Sequence, residues 1–548
     1  MFQVSPIKEQ FDAVVVGSGA TGGWAAKQLT EAGLKVALLE AGKKITDKDF
    51  TEHVQPWQLP YLGGSPKIVD DRPIQSKCYA CTEYNYKWFV NDRENPYIQE
   101  KPFSWIRQRV LGGRSMSWGR QSYRMSNLDF KAASHDGYDV DWPISYEDLV
   151  PYYEKVERYV GISGRAENLP QLPDSVFLPE MEMTCGEEIL RSAIKDKFDR
   201  VMTMGRCAVL TKPQNGRQAC HYCGPCERGC ITHSYFNSVT TTIPDAMKTG
   251  RLTLLTDAVA AKVIMKDGKA VGISYVDANT MKVKEVRAKI FMLCASTLES
   301  TRLLLNSGIC NSSGVLGKYL MDHIFEGGAV GVMPMLEAKP WAGMPRRPNG
   351  IYIPRFRNVK EKETNGFIRG YGYQGGSSPT FEFDAPGFGG AYKDAVRKGH
   401  WGISLGLWGE CLARKENFVE IDKQRVDAYG IPILKITADW SDNEKKLYED
   451  GRIQAAEMLE AAGAKNVNIS GNYSVPGHCI HEIGTARMGN DSKTSVLNQY
   501  CQSHDVKNLF VTDGAAWVSS SCQNPTLTMM ALTVRTCDYI TNEYAKNM

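Results

Sequence analysis

From Phe11 to Gly42 the chain reads "FDAVVVGSGATGGWAAKQLTEAGLKVALLEAG". An apolar run at 11–16, a glycine turn, a stretch of helical period at roughly 21–32 and a second apolar run at 36–40 follow in order. This pattern predicts a strand–turn–helix–strand unit. From about 50 to 160 the pattern is irregular and rich in Trp, Tyr and Pro, which suits long excursions from a core, although 146–161 has helical period. Residues 251–295 read as several short strands with "KDGK" as a hairpin turn. Residues 296–308 predict a helix stopped by Gly308, and 326–435 are irregular with strand-like stretches. A long amphipathic helix is expected over 441–464, with Ser441 as N-cap. The tail at 508–540 gives a strand, a polar loop and a helix. No repeat or low-complexity linker separates these stretches, so two domains are expected to interleave.

Composition narrows the class. A chain of 548 residues exceeds one typical core, so two or more domains follow. Hydrophobic residues at 42% and charged residues at 23% are ordinary for a soluble globular protein. A net charge of +3 is too small to suggest a nucleic-acid or membrane-surface partner. No run of about twenty apolar residues predicts a transmembrane helix. The opening "MFQVSPIKEQ" lacks a basic segment followed by an apolar one, so no secretory signal of its own is expected. The fifteen cysteines cluster, which favours reduced thiols or metal ligation over a disulfide scaffold.

Gly17, Gly19 and Gly22 form G-x-G-x-x-G directly after a predicted strand and at the start of a predicted helix. The first glycine makes the turn, the second admits a pyrophosphate to the backbone, and the third lets helix and strand pack closely. The helix N-terminus then faces the phosphate charge. Glu40, 18 residues beyond Gly22, is placed to accept from an adenosine ribose. The motif alone does not separate FAD from NAD.

"CHYCGPCERGC" sets Cys220, Cys223, Cys226 and Cys230 in C-x2-C-x2-C-x3-C spacing, the run of bacterial ferredoxins, with Ile231 where those have proline. Gly224, Pro225 and Gly229 let the backbone turn around an inorganic core. Zinc would accept the same thiolates, and free or disulfide-bonded thiols would give the same text. Spacing leaves these three readings open. Cys78 and Cys81 form a second C-x2-C, expected to be structural.

Seven stretches occur in the order seen in glucose–methanol–choline (GMC) oxidoreductases: "GSGATGG", "VLGGRSMSWGR" (110–120), "LTLLTDAVAAKVI" (252–264), "CASTLESTRLLLNSGI" (294–309), "GKYLMDH" (317–323), "HEIGTARMG" (481–489) and "VTDGAAWVSSSCQNPTLT" (511–528). The chain resembles that family over almost its whole length. The resemblance implies an α/β fold, with an FAD-binding Rossmann-like domain of separated segments (1–50, 100–135, 235–325 and 470–548). An inserted α+β substrate domain built on an antiparallel sheet would take 51–99, 136–234 and 326–469, with the cysteine-rich insertion.

The resemblance also implies roles. Gly17, Gly19, Gly22 and Glu40 would hold the ADP half of FAD. Gly112, Gly113 and Ser117 would pass near the flavin, in a loop altered here by Arg114. Val259 would meet the adenine, Asp513 and Gly514 the diphosphate and ribityl chain, and Asn524, Pro525 and Thr526 the pyrimidine edge. A helix starting near Pro525 would aim its positive end there. His481 matches the base that removes a hydroxyl proton as hydride moves to flavin N5, a task that suits histidine's pKa. Asn524, as in sugar-oxidising members, would orient the alcohol oxygen without titrating. His478 receives no role, and His323 is expected to be structural.

Cys220, Cys226 and Cys230 resemble the [3Fe–4S] segment of membrane-linked FAD sugar dehydrogenases, so a [3Fe–4S] or [4Fe–4S] iron–sulfur cluster is expected as a one-electron exit. Residues 341–415 are rich in aromatic and polar groups, which suits a pyranose, with Tyr371, Tyr373, Gln374 and Glu410 as substrate candidates. Together these features resemble FAD-dependent glucoside 3-dehydrogenases. They imply a sugar or glycoside substrate oxidised to a 3-keto sugar, a small partner subunit and a cytochrome-type acceptor. The location would be the bacterial periplasm by way of that subunit, or the cytoplasm. An oxygen-using sugar or C-glycoside 3-oxidase, and a flavin/iron–sulfur electron-transfer subunit, are the alternatives.

Overall fold

The apolar run at 11–16 lies at the centre of a seven-stranded sheet in the computed structural model, which describes residues 5–63, 67–338, 347–360, 363, 365–381 and 386–544. Residues 341–346 of the aromatic stretch lie outside the described residues. The central strand runs Ser5–Val16, longer than its apolar run, because Ser5 and Pro6 still pair with Lys284 and Glu285. Val36–Leu39 lies parallel on one side, with Ala13 opposite Val36 and Val16 opposite Leu39. Val283–Leu293 lies parallel on the other side. Leu252–Leu255 extends the first side, and Leu509–Val511 pairs in parallel with the end of Val283–Leu293. The antiparallel strands Lys269–Asp277 and Ala258–Lys266 complete the sheet. Val14 and Val15 are fully buried, as a parallel strand covered on both faces requires.

A six-stranded antiparallel sheet follows the order Lys465–Ser470, Ile324–Val332, His400–Gly409, Tyr371–Thr380, Ile351–Ile353, Thr203–Met204. In His400–Gly409 burial alternates residue by residue, so Trp401, Ile403, Leu405 and Leu407 face a core while Trp408 sits on the other face. The helix Asp442–Ala461 covers the buried face. Ser441 caps it, accepting from Asn443 N while Glu444 reaches back to Ser441 N. Gly451 in mid-helix is required by closeness: a Cβ there would stand 1.8 Å from Leu407 Cδ1.

The expected helices at 146–161, 296–308 and in the tail appear as Tyr146–Val160, Thr297–Ser307 and Thr526–Tyr539. Among the described residues no helix is long and apolar enough to cross a membrane.

Candidate active site

A cavity of about 990 Å³ opens at the carboxyl ends of the parallel strands, roofed by the antiparallel sheet. Such a crevice is where open α/β sheets bind ligands. Gly17 has φ of 94°, and a Cβ there would stand 2.4 Å from Cys294 O. A Cβ on Gly22 would stand 1.8 Å from Gly17 O, so both glycines serve the turn itself. Gly19 differs: the nearest atom to a Cβ there is Gly112 O at 3.9 Å, so its α-carbon faces open space. Glu40 is buried and lines the cavity, accepting from Ser18 Oγ at 2.5 Å, Ser18 N at 3.2 Å and Gly42 N at 2.7 Å. Burial raises its pKa, against those hydrogen bonds and the nearby Arg109 charge. A turn open only at its middle glycine, beside a buried carboxylate, fits a dinucleotide.

The remaining expected cofactor residues converge on the same space. Ser18 Oγ accepts from Gly112 N at 2.9 Å, joining the two glycine loops, and Gly113 sits opposite Gly19. Ser117, Val259, Asp513, Gly514, Pro525 and Thr526 line the cavity. Ser117 Oγ is already committed to Gln108 Oε1 at 2.8 Å. Asp513 accepts from Ser300 Oγ and Ala515 N, and burial lifts its pKa to about 6. The helix Thr526–Tyr539 has Pro525 as its N-cap with no side-chain cap, so its positive end lies at the cavity wall.

His481 and Asn524, 43 residues apart in sequence, meet with Asn524 Nδ2 3.3 Å from His481 Nε2. An unexpected partner stands behind them. His323 Nδ1 lies 2.8 Å from His481 Nδ1, and His323 Nε2 lies 2.5 Å from Ser521 O. A carbonyl only accepts, so His323 carries its proton on Nε2 and presents a lone pair at Nδ1. His481 must then donate from Nδ1, which leaves Nε2 unprotonated. The Asn524 amide donates to that nitrogen, and Asn524 Oδ1 accepts from Gln374 Nε2 at 2.9 Å. Four hydrogen bonds of consistent polarity thus run from Gln374 to Ser521. Cys479 Sγ, at 3.3 Å from His481 Nδ1, is the more distant competitor for the same proton.

The backbone explains the meeting. Met321 and Ile483 exchange hydrogen bonds of 2.9 and 3.0 Å, setting the two histidine segments side by side. Asp322 accepts from Gly477 N and His481 N. Ile480, with φ of 66°, occupies the left-handed region, which costs a β-branched residue about 1–3 kcal/mol. Arg114 holds that turn by donating to Ile480 O at 3.1 Å and Glu482 Oε2 at 2.6 Å. Burial pulls the His481 pKa well below its usual value, and His323 and Arg114 lower it further. Burial holds His323 at about 4. Both rings are therefore neutral at rest.

Three substrate candidates are corrected. Tyr371 and Tyr373 are fully buried on the helix side of their strand; Tyr371 donates to Asp450 and Tyr373 to Gly451 O. Glu410 is buried against Arg355 at 2.8 Å. None of the three lines the cavity, whereas Gln374, on the opposite strand face, does. His323, expected to be structural, contacts His481 Nδ1 and Ser521 O. Arg114 and Asp322 carried no expected role. The only sequence signal for the second histidine was the "GKYLMDH" motif itself.

The four loop cysteines lie beside this cavity, Cys230 buried and the others half-buried, and all fifteen cysteines are free thiols. Burial pushes Cys226 up to about 11 and Cys223 to about 12; the Glu52 carboxylate adds to the rise at Cys223, and the Arg120 guanidinium works against it at Cys226. Arg120 lines the cavity and donates to Trp118 O at 2.6 Å and Pro348 O at 2.9 Å. Among the described residues no three of these loop sulfurs lie within 4.8 Å of one another.

The chain is similar over most of its length to known proteins. Residues 11–325 and 413–533 match the N- and C-terminal models of one family, described as GMC oxidoreductase. The chain is 30% identical to 2-methyl-1,2-propanediol dehydrogenase of Mycolicibacterium austroafricanum, covering 98% of this chain and 96% of that one. It is 27% identical to the fructose dehydrogenase large subunit of Gluconobacter japonicus (97% and 98%) and 25% identical to the gluconate 2-dehydrogenase flavoprotein of Pantoea cypripedii (98% and 95%). The solved structure of pyridoxine 4-oxidase from Mesorbium loti shares the fold, with a TM-score of 0.61 at 17% identity, covering 96% of this chain and 98% of that one. With both family models spanning the glycine turn and the His481–Asn524 pair, the chain belongs to the GMC oxidoreductases, which bind FAD.

Proposed function

We propose that the protein is a dehydrogenase that oxidises a secondary hydroxyl of a sugar or glycoside, at C3, to give a 3-keto sugar. The observation that carries the chemistry is the polarised hydrogen-bond chain that leaves His481 Nε2 unprotonated beside Asn524. FAD, when bound, supplies the hydride acceptor, and Gly17, Gly19, Glu40, Asp513 and the helix end at Pro525 would hold it. Asn524, tethered by Gln374, can donate its amide hydrogen to the alcohol oxygen. His481 Nε2 can then take the hydroxyl proton. The resulting imidazolium keeps its Nδ1–H directed at the His323 lone pair, which stabilises the charge.

The roof supports a polyhydroxylated substrate. Trp408 offers a flat apolar face, while Gln121, Asn349 and Glu326 line the same cavity with donors and acceptors, a combination that suits a pyranose. The names of the relatives, a diol, a ketose and a sugar acid, point to the same class.

Cys220, Cys226 and Cys230 would hold an iron–sulfur cluster, which when bound supplies a one-electron exit. A cytochrome-type acceptor and a small partner subunit that carries the export signal complete the reading. The "large subunit" in a relative's name is consistent with that partner.

Anaerobic stopped-flow mixing with methyl glucosides tests the reading. The flavin should be reduced and NMR should show a 3-keto product. His481→Ala should keep FAD and slow reduction by about 10²–10⁴-fold. Reduction by simple diols but by no hexose or glycoside would remove the sugar assignment, and an unchanged rate in His481→Ala would place the base elsewhere.

A further inference from the structure

The C-x5-C-x3-C subset uses three of the four loop cysteines and leaves Cys223 over. Cys223 Sγ, a ring nitrogen of His221 and a carboxylate oxygen of Glu52 all lie within 4.8 Å of one another. Glu52 arrives from a different part of the chain, yet its carboxylate is 2% exposed and accepts from Ile231 N at 2.5 Å. No lysine or arginine nitrogen among the described residues stands within 4.0 Å of it; the neighbour is His53, whose Nε2 is 3.4 Å from Glu52 Oε1. The rings of His53 and His221 are 5.7 Å apart. His221 Nδ1 is engaged with Thr232 Oγ1 at 3.3 Å, which leaves Nε2 for a ligand and supplies the outer partner that metal-bound imidazoles keep.

We propose that Glu52, His221 and Cys223, with His53 turning in as the fourth ligand, form a mononuclear site for a zinc-class divalent ion, separate from the other three loop cysteines. Thiolate, imidazole and carboxylate make a mixed set that borderline transition ions prefer, with too few oxygens for calcium or magnesium. Bond lengths of about 2.0–2.3 Å around zinc place neighbouring ligand atoms about 3.3–3.8 Å apart, so small side-chain rotations close the site. The ion would tie the segment around Glu52 to the cysteine loop, where Thr51 N already donates to Arg228 O at 2.9 Å.

Cobalt(II) titration of the chelator-treated, FAD-loaded full-length protein tests the site. A thiolate-to-cobalt charge-transfer band should appear with one ion per chain. It should vanish in Cys223→Ser, and His221→Ala and Glu52→Gln should weaken binding by roughly tenfold or more. His221 is exposed, so His221→Ala tests the site even where another variant fails to fold. Cys226→Ser should bind cobalt as the wild type does, and Cys223→Ser should keep whatever iron the wild type holds. Absence of cobalt binding in the wild type overturns the proposal. So does binding that survives in His221→Ala and Glu52→Gln, or iron that is lost with Cys223, because Cys223 then belongs with the other cysteines.

Discussion

In the proposed reaction His481 is the base, and two neighbours fix where its protons are. His323 accepts the hydrogen bond from His481 Nδ1–H and burial keeps both rings neutral, so Nε2 is unprotonated and uncharged. The sign of the pH dependence follows. Both folded-state pKa values lie below the unfolded value of about 6.5, so between about 4 and 6.5 the unfolded chain binds protons that the folded chain refuses. These histidines therefore cost stability as pH falls through that window and cost nothing above it. For activity, substrate-driven flavin reduction should stay level as pH falls to well below 6.5; a break at 6.5 or above would contradict a depressed His481. His323→Leu should keep FAD and KM but lower kcat by roughly ten- to a hundredfold, part of what a base supplies. His323→Asn should recover much of it, because its side-chain oxygen can accept from Nδ1–H. A purely structural His323 would give two equally impaired variants. At this scale, sequence showed His481 and Asn524 only through motif resemblance. The 158-residue separation hid His323, and strand parity misled the reading of "YGYQ": Tyr371 and Tyr373 share the core face, while Gln374 alone among them faces the site.

The glycine turn joins strand, helix and ligand, and its three glycines are not equivalent. Gly22→Ala drives a Cβ against the Gly17 carbonyl at 1.8 Å, so it should destabilise the protein with or without cofactor, by about 1–3 kcal/mol as overpacking does. Gly19→Val directs its bulk into the cavity, so the apo-protein should melt as the wild-type apo-protein does yet retain no FAD. Thermal melts and flavin content measured together separate the two, and normal flavin content in Gly19→Val would count against the placement. This unit was legible because apolar runs, glycines and Glu40 sit at fixed spacing. The six-stranded sheet, four of whose strands fall within 324–409, was not. Its strands carry Gly372, Gly375, Gly376, Gly402 and Gly406, which blur the alternation that marks a strand. At least one is there for closeness, since a Cβ on Gly375 would stand 2.1 Å from Ser404 O.

The whole molecule brings the cavity, the His481–Asn524 pair and the cysteine loop together from stretches hundreds of residues apart. Each large sheet draws its strands from separated stretches of the chain; the contacts between those stretches were not legible, because no local pattern records them. Arg120 lies between the two regions, lining the cavity while its charge works against the rise in the Cys226 pKa. If electrons leave through that loop, the proton and hydride steps at His481 should not need it. Cys226→Ser should then lose iron and acid-labile sulfide, and substrate should still reduce the flavin at the wild-type rate. Delivery to a cytochrome-type acceptor should fall sharply, since the one-electron exit has gone. Free thiols make the opposite prediction: no iron in the wild type and unchanged acceptor kinetics in the variant. Anaerobically purified protein that holds no iron and turns over briskly with oxygen alone would make this chain an oxidase, with the cysteine loop serving the fold.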